Sequence, residues 1–146
     1  MSPRWKYFFI GYLWSLPHTI IGLLLATLVY RSHSWRWSDG CIECVAGTGK
    51  DGTTRIFGRP WAQTHGCLIV YDTVPHTNTA WLRAHERTHV VQGFVGGPLF
   101  VVAYILCFLA LLVYHGEYYP AYRNNPFEAH AYGNERNPGA WGTSPP

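Results

Sequence analysis

The stretch "AHERTHVVQ", Ala84–Gln92, decides how the rest of this chain is read. It sets His85, Glu86 and His89 in the pattern H-E-x-x-H. On a helix, residues four apart share a face, one turn above the other. Both imidazoles can then reach one ion at about 2.0–2.1 Å. Glu86 is rotated around the helix and is better placed to touch water on such an ion than to bind it. The pattern therefore implies two ligands and one general base. The competing reading is a histidine pair on a helix surface near lipid headgroups, with Glu86 paired to Arg83 or Arg87.

Two imidazoles do not complete a catalytic zinc site, which usually has three protein ligands and an open position. The best downstream carboxylate is Glu128, in "NPFEAHAY" at 125–132. Pro126 starts a helical turn and Glu128 falls within it. Glu117, at the end of an apolar run, and His130 are the other possibilities.

Outward from this motif the chain is apolar. Of 146 residues, 48% are hydrophobic and 13% charged, about half the charged share of a soluble domain. Residues 7–30 contain no Asp, Glu, Lys or Arg, and neither do residues 98–114. A spanning helix needs roughly 20 such residues, so an integral membrane protein is expected. Residues 1–30 form its N-terminal transmembrane anchor, and Pro17 should kink it. The apolar run is too long for a cleaved signal, and no A-x-A-like site follows. Residues 31–133 form the zinc domain, including a second apolar membrane helix at 98–114, and residues 134–146 form a tail. The net charge of +3 comes from scattered basic residues, which excludes a nucleic-acid stripe. Seven of the eleven lie between the apolar blocks, a lean toward a cytoplasmic middle segment.

The middle segment reads as short strands: "CIECV" at 41–45, "TTRIF" at 53–57 and "GCLIVY" at 66–71, with a turn at "GTGKDGT", 47–53. A helix follows from about Ala80 to Phe94, capped by Asn78 or Thr79. "GGP" at 96–98 opens the second apolar helix. Residues 115–126 read as irregular, and "FEAHAY" at 127–132 as a short helix behind Pro126. The class is α+β: membrane helix, small antiparallel sheet, H-E-x-x-H helix, second membrane helix, short Glu helix. Cys41 and Cys44 form a lone C-x-x-C. A structural zinc with Cys67, a Cys41–Cys67 or Cys44–Cys67 disulfide, and a redox or metal-transfer role are all open to it.

The H-E-x-x-H-x-x-Q run, an apolar stretch and then N-P-x-E-x-x-A resemble a group of small bacterial membrane proteins of the gluzincin type. The resemblance covers roughly residues 60–133 and is strongest at the two motifs. It implies zinc on His85, His89 and Glu128, Glu86 as base, and residence in a bacterial inner membrane. It also makes the strand at 66–71 the edge against which a peptide could pair. Better-studied gluzincins place an Asp after the third ligand, where this chain has Ala131 and Tyr132. Tyr132, Tyr122 and His130 are candidates for the oxyanion donor, and Tyr132 is carried with Glu86 as catalytic.

One geometric demand follows. His89 and Glu128 must come within about 5 Å to share an ion, yet about 21 apolar residues, roughly 31 Å of helix, lie between them. The chain after His115 could return past the helix. The helix could pack as a hairpin arm on residues 7–30 without fully spanning, or the site could lie inside the membrane. The second is the expectation. The expected function is a membrane-anchored zinc metallopeptidase acting on a peptide or protein. The alternative is a non-catalytic subunit of a larger membrane assembly, with Trp141 of the tail as an anchor.

Overall fold

The computed structural model describes residues 3–47, 62–73 and 75–135. The expected strand at 53–57, most of the turn before it and Trp141 lie outside these residues. Helix α1 (Pro3–Leu24) runs through Pro17 and ends in a wider π turn, Leu25–Val29. Strands β1 (His33–Ser38), β2 (Cys41–Val45), β3 (Ala62–His65) and β4 (Leu68–Tyr71) follow. Then come α2 (Ala80–Gly96), α3 (Pro98–His115), α4 (Tyr118–Arg123) and α5 (Pro126–Glu135). Thr79 stands at the cap of α2 in extended conformation, and Pro98 opens α3 where its missing N–H costs nothing.

The sheet is mixed rather than antiparallel. Its order is β1-β2-β4-β3, with β2 and β4 parallel and the two outer pairings antiparallel. Burial explains the order. All four residues of β4 are buried, because α1 covers Leu68 and Val70 while α2 covers Ile69 and Tyr71. A strand apolar on both faces belongs in the interior. Among the described residues the edges are therefore β1 and β3, the latter the polar "AQTH", and not the 66–71 segment. The β3–β4 turn uses Gly66 at φ +60°, where any side chain would strike Thr19 of α1.

Helix α1 is part of the domain. Its inward face is a line of small and polar residues: Gly11 against Phe94, Ser15 and Thr19 against Gly66, Gly22 against His65 and Leu68. Tyr12 donates to Gly40 O at 2.5 Å and Thr19 Oγ1 accepts from Cys67 N at 3.1 Å. Near the far end Ala26 joins Cys44, Ala46, Leu68 and Val70 in one core cluster. Cys41 belongs to the other cluster, under α2. Three residues apart on a strand, Cys41 and Cys44 face opposite sides and cannot share a ligand. All four cysteines are free, so neither of the disulfides left open is formed.

The chain returns to the histidines along α3, which packs mainly on α4 and α2 and touches α1 as well. No residue of α3 is fully buried. After Gly116 (φ +70°) reverses the chain, α4 and α5 come back along α3. Tyr118 packs on Phe108 with ring centroids 5.4 Å apart. Asn125 Nδ2 donates to Tyr104 O at 3.1 Å, and Phe127 packs on Phe100 at 5.3 Å. The segment expected to be irregular thus contains a helix, which satisfies its own backbone during the return. Helix α5 continues through Gly133 past the expected end of the short helix and runs two residues, Asn134 and Glu135, into the expected tail.

Candidate metal centre

Helix α2 carries His85 and His89 on the face that α5 covers, and α5 brings Glu128 to meet them. His85 Nε2 and His89 Nε2 lie 3.2 Å apart. Glu128 Oε2 is 3.3 Å from His85 Nε2, and Oε1 is 3.4 Å from His89 Nε2. Ligand bonds of 2.0–2.1 Å at tetrahedral angles separate the donors by about 3.3–3.4 Å. The three side chains already stand at that spacing, and all three are buried. Glu128 Oε2 faces His85 Nε2 and makes no hydrogen bond of good geometry among the described residues, so a cation would satisfy it. This buried His-His-Glu group can hold a metal ion.

The outer nitrogens are also engaged. His85 Nδ1 pairs with Glu135 Oε1 at 2.7 Å, and His89 Nδ1 with Gln92 Oε1 at 2.8 Å. Acceptors on both Nδ1 atoms hold a proton there and turn each Nε2 toward the centre, where an ion would displace the Nε2 proton. Gln92 is held in turn, donating to Phe127 O at 3.0 Å. Tyr104 donates to Glu128 Oε1 at 2.7 Å, and Asn134 donates to the buried Thr88 hydroxyl at 3.0 Å. Burial opposes a charged His85, but the hydrogen bond to Glu128 and the Glu86, Glu128 and Glu135 carboxylates outweigh it and lift its pKa to about 9. His89 is raised in the same way. Burial would raise Glu128, yet the two histidines hold it well below the usual carboxylate range. The pocket is electrically built for positive charge.

Glu86 is buried and faces the edge strand, not the arginines. Thr64 Oγ1 on β3 donates to Glu86 Oε2 at 2.7 Å. Arg83 and Arg87 turn away, to Asp39 and the fully buried Glu43, so the proposed pairing with Glu86 does not occur. Tyr132 sets its ring 4.7 Å from the His85 ring, edge to face, with the Arg123 guanidinium stacked 3.4 Å above it. Burial pushes the Tyr122 hydroxyl up strongly, helped by Glu128 and by its hydrogen bond with Tyr132. The two other candidate ligands do not join the centre. Glu117 is exposed at the start of α4, and His130 is exposed with its Nδ1 3.2 Å from Gln92 Nε2.

Glu135, Tyr104 and Thr64 did not emerge from sequence reasoning. For Glu135 a signal existed, since it lies seven residues past Glu128, two turns along the same helix face. Tyr104 is a hydroxyl in the middle of an apolar run. Thr64 carried no signal, because only folding brings β3 beside α2. Comparison with protein-family models, with curated proteins and with solved structures yields no match for this chain.

Proposed function

We propose that this protein is a zinc-dependent peptidase attached to a bacterial inner membrane through α1 and α3. The observation that carries the reading is the triangle of His85 Nε2, His89 Nε2 and the Glu128 carboxylate, with sides of 3.2–3.4 Å. Zinc bound there would supply Lewis acidity, acidifying water and polarising a peptide carbonyl. Membrane attachment draws on two helices long and apolar enough to cross a bilayer, Phe9–Val29 and Pro98–His115.

Glu86 is the proton carrier in this reading. Thr64 occupies its Oε2, which leaves Oε1 to take a proton from water and return it to the leaving amine. Tyr132, beside His85, is the group assigned to steady the carbonyl oxygen as charge develops on it. The edge strand β3, which carries Thr64, offers backbone groups to an extended peptide. Glu135 and Gln92 keep the two imidazoles turned toward the ion.

The test is zinc analysis of the purified protein, followed by assay of a fluorogenic peptide library with wild type and Glu86→Gln. Bound zinc in both proteins, with hydrolysis reduced about 10²–10⁴-fold in the variant, is the expected result. Protein that takes up no zinc, or a variant as active as wild type, would refute the proposal. A second reading, a non-catalytic subunit of a larger membrane assembly, draws on the outward apolar faces of α1 and α3. It requires zinc-loaded protein that cleaves nothing and copurifies with that assembly.

A further inference from the structure

Burial along α1 and α3 alternates with helical period. On α3, Phe100, Ala103, Tyr104, Cys107, Phe108, Leu111 and Leu112 are half-buried toward the domain. Leu99, Val102, Ile105, Leu106, Leu109 and Val113 point out, and all are apolar. On α1 the inward set is Gly11, Tyr12, Ser15, Thr19, Gly22 and Ala26, and the outward set includes Leu13, Leu16, Ile20, Ile21, Leu24 and Leu28. The outward hydroxyl of Thr27 bonds its own helix at Leu23 O, 2.7 Å away.

A helix crossing the bilayer meets lipid on every side that other helices leave open. Here α1 is packed on α2 at Gly11 and on the sheet farther along: Gly22 touches His65, and Tyr30, just past its end, donates to Gln63 Oε1 at 3.0 Å. Both partners lie on the edge strand β3. Were α1 to cross, it would draw an open sheet edge into hydrocarbon, where unsatisfied backbone groups are not tolerated. On α3 the same conflict arises, since α4 and its flanks run beside it with exposed Glu117, Arg123 and Asn124.

We propose that α1 and α3 lie in the plane of one membrane surface, outward faces in the acyl chains and inward faces under the domain. This rests on the membrane attachment just proposed and fixes its geometry. Lipid is the occupant because the outward stripe of α3 is apolar from Leu99 to Val113, whereas a protein partner's interface would carry about one hydrogen bond per 100–200 Å². Exposed Trp14 on α1, Tyr114 on α3 and Tyr118 and Tyr119 on α4 supply the aromatic residues favoured at the headgroup level. Tyr104, which holds Glu128, sits on the inner side of α3. The metal centre therefore lies about one helix diameter, roughly 10 Å, above the hydrocarbon. Its substrate is a peptide segment at the membrane surface, such as the stretch just outside a membrane anchor.

Nitroxide labels at Leu13→Cys, Ile20→Cys, Leu28→Cys, Leu99→Cys, Leu106→Cys and Val113→Cys, in full-length Cys107→Ser protein, would read depth in phosphatidylglycerol-containing vesicles. The in-plane arrangement gives one shallow depth for all six, about 5–10 Å below the headgroups. Depths that reach the bilayer centre, about 15 Å down, at Ile20 or Leu106 would overturn it while leaving membrane attachment intact. Absence of lipid contact at every position would overturn attachment as well. A second measurement uses protein added to sealed vesicles, with Asn78→Cys and Glu117→Cys. Both should react fully with an impermeant maleimide from outside; protection of Glu117→Cys alone would mean that α3 crosses.

Discussion

Helix α2 presents two i, i+4 pairs to two buried carboxylates, with opposite outcomes. Arg83 and Arg87 turn to Glu43, where both carboxylate oxygens are taken: Oε2 by Arg36 at 2.7 Å, Oε1 by Arg83 at 3.4 Å. Ser38 and Asp39 complete that node, which ties α2 to β1 and β2. His85 and His89 turn to Glu128, where one oxygen is bonded by Tyr104 and the other is left without a hydrogen bond. One node is saturated with protein donors and is architectural. The other converges two imidazole nitrogens and a carboxylate oxygen on one point, which is the arrangement that can hold a metal ion.

The largest way to test this contrast is metal addition. Free zinc at about a thousand times its dissociation constant stabilises a folded protein by about 4 kcal/mol. Thermal unfolding in detergent should show a rise of that order for wild type, reversed by EDTA and absent in Glu128→Gln. A full zinc response in that variant would move the site elsewhere. Next is Glu43→Gln, which strands the arginines around a fully buried position. It should cost about 3 kcal/mol in denaturant unfolding while zinc affinity stays unchanged. If zinc affinity fell in step with stability, the two nodes would be one.

Smaller is Glu135→Ala, which removes the partner of His85 Nδ1. Zinc affinity should weaken about 10–100-fold by competition with a chelator dye, with little loss of metal-free stability. An unchanged affinity would mean that Glu135 is a bystander. The smallest effect concerns Cys41, whose thiol is pushed up to about 12 by burial, lowered somewhat by Arg87 and raised by Glu43. Alkylation at pH 8 should be slow in wild type. Removal of the Glu43 charge takes away a raising influence and leaves that of Arg87, so Cys41 should react faster in Glu43→Gln. An unchanged rate would show that Glu43 does not act on the thiol.

Much of the local chemistry was legible in residue order. H-E-x-x-H at 85–89 and the Pro126-led helix carrying Glu128 follow from spacing. So does α2, from the cap at Thr79 to the Gly96–Gly97–Pro98 break. These depend on contacts within a few residues. The mixed sheet was not legible, because an alternating or apolar strand reads the same with a parallel or an antiparallel neighbour. Nor was the edge at β3, since four polar residues declare exposure without naming the strand beside them.

The sequence by itself determined which side chains could bind a metal and where the greasy helices run, because helix periodicity and apolar length are properties of short stretches. Only the tertiary structure decided that Glu128 returns to the histidines along α3, that Thr64 holds Glu86, and that Glu43 gathers three arginines. Apart from Arg36 and Glu43, which are 7 positions apart on paired strands, those meetings join residues 22 to 44 positions apart. Which distant groups meet is chosen by packing two helical layers on one sheet while leaving few buried charges unanswered.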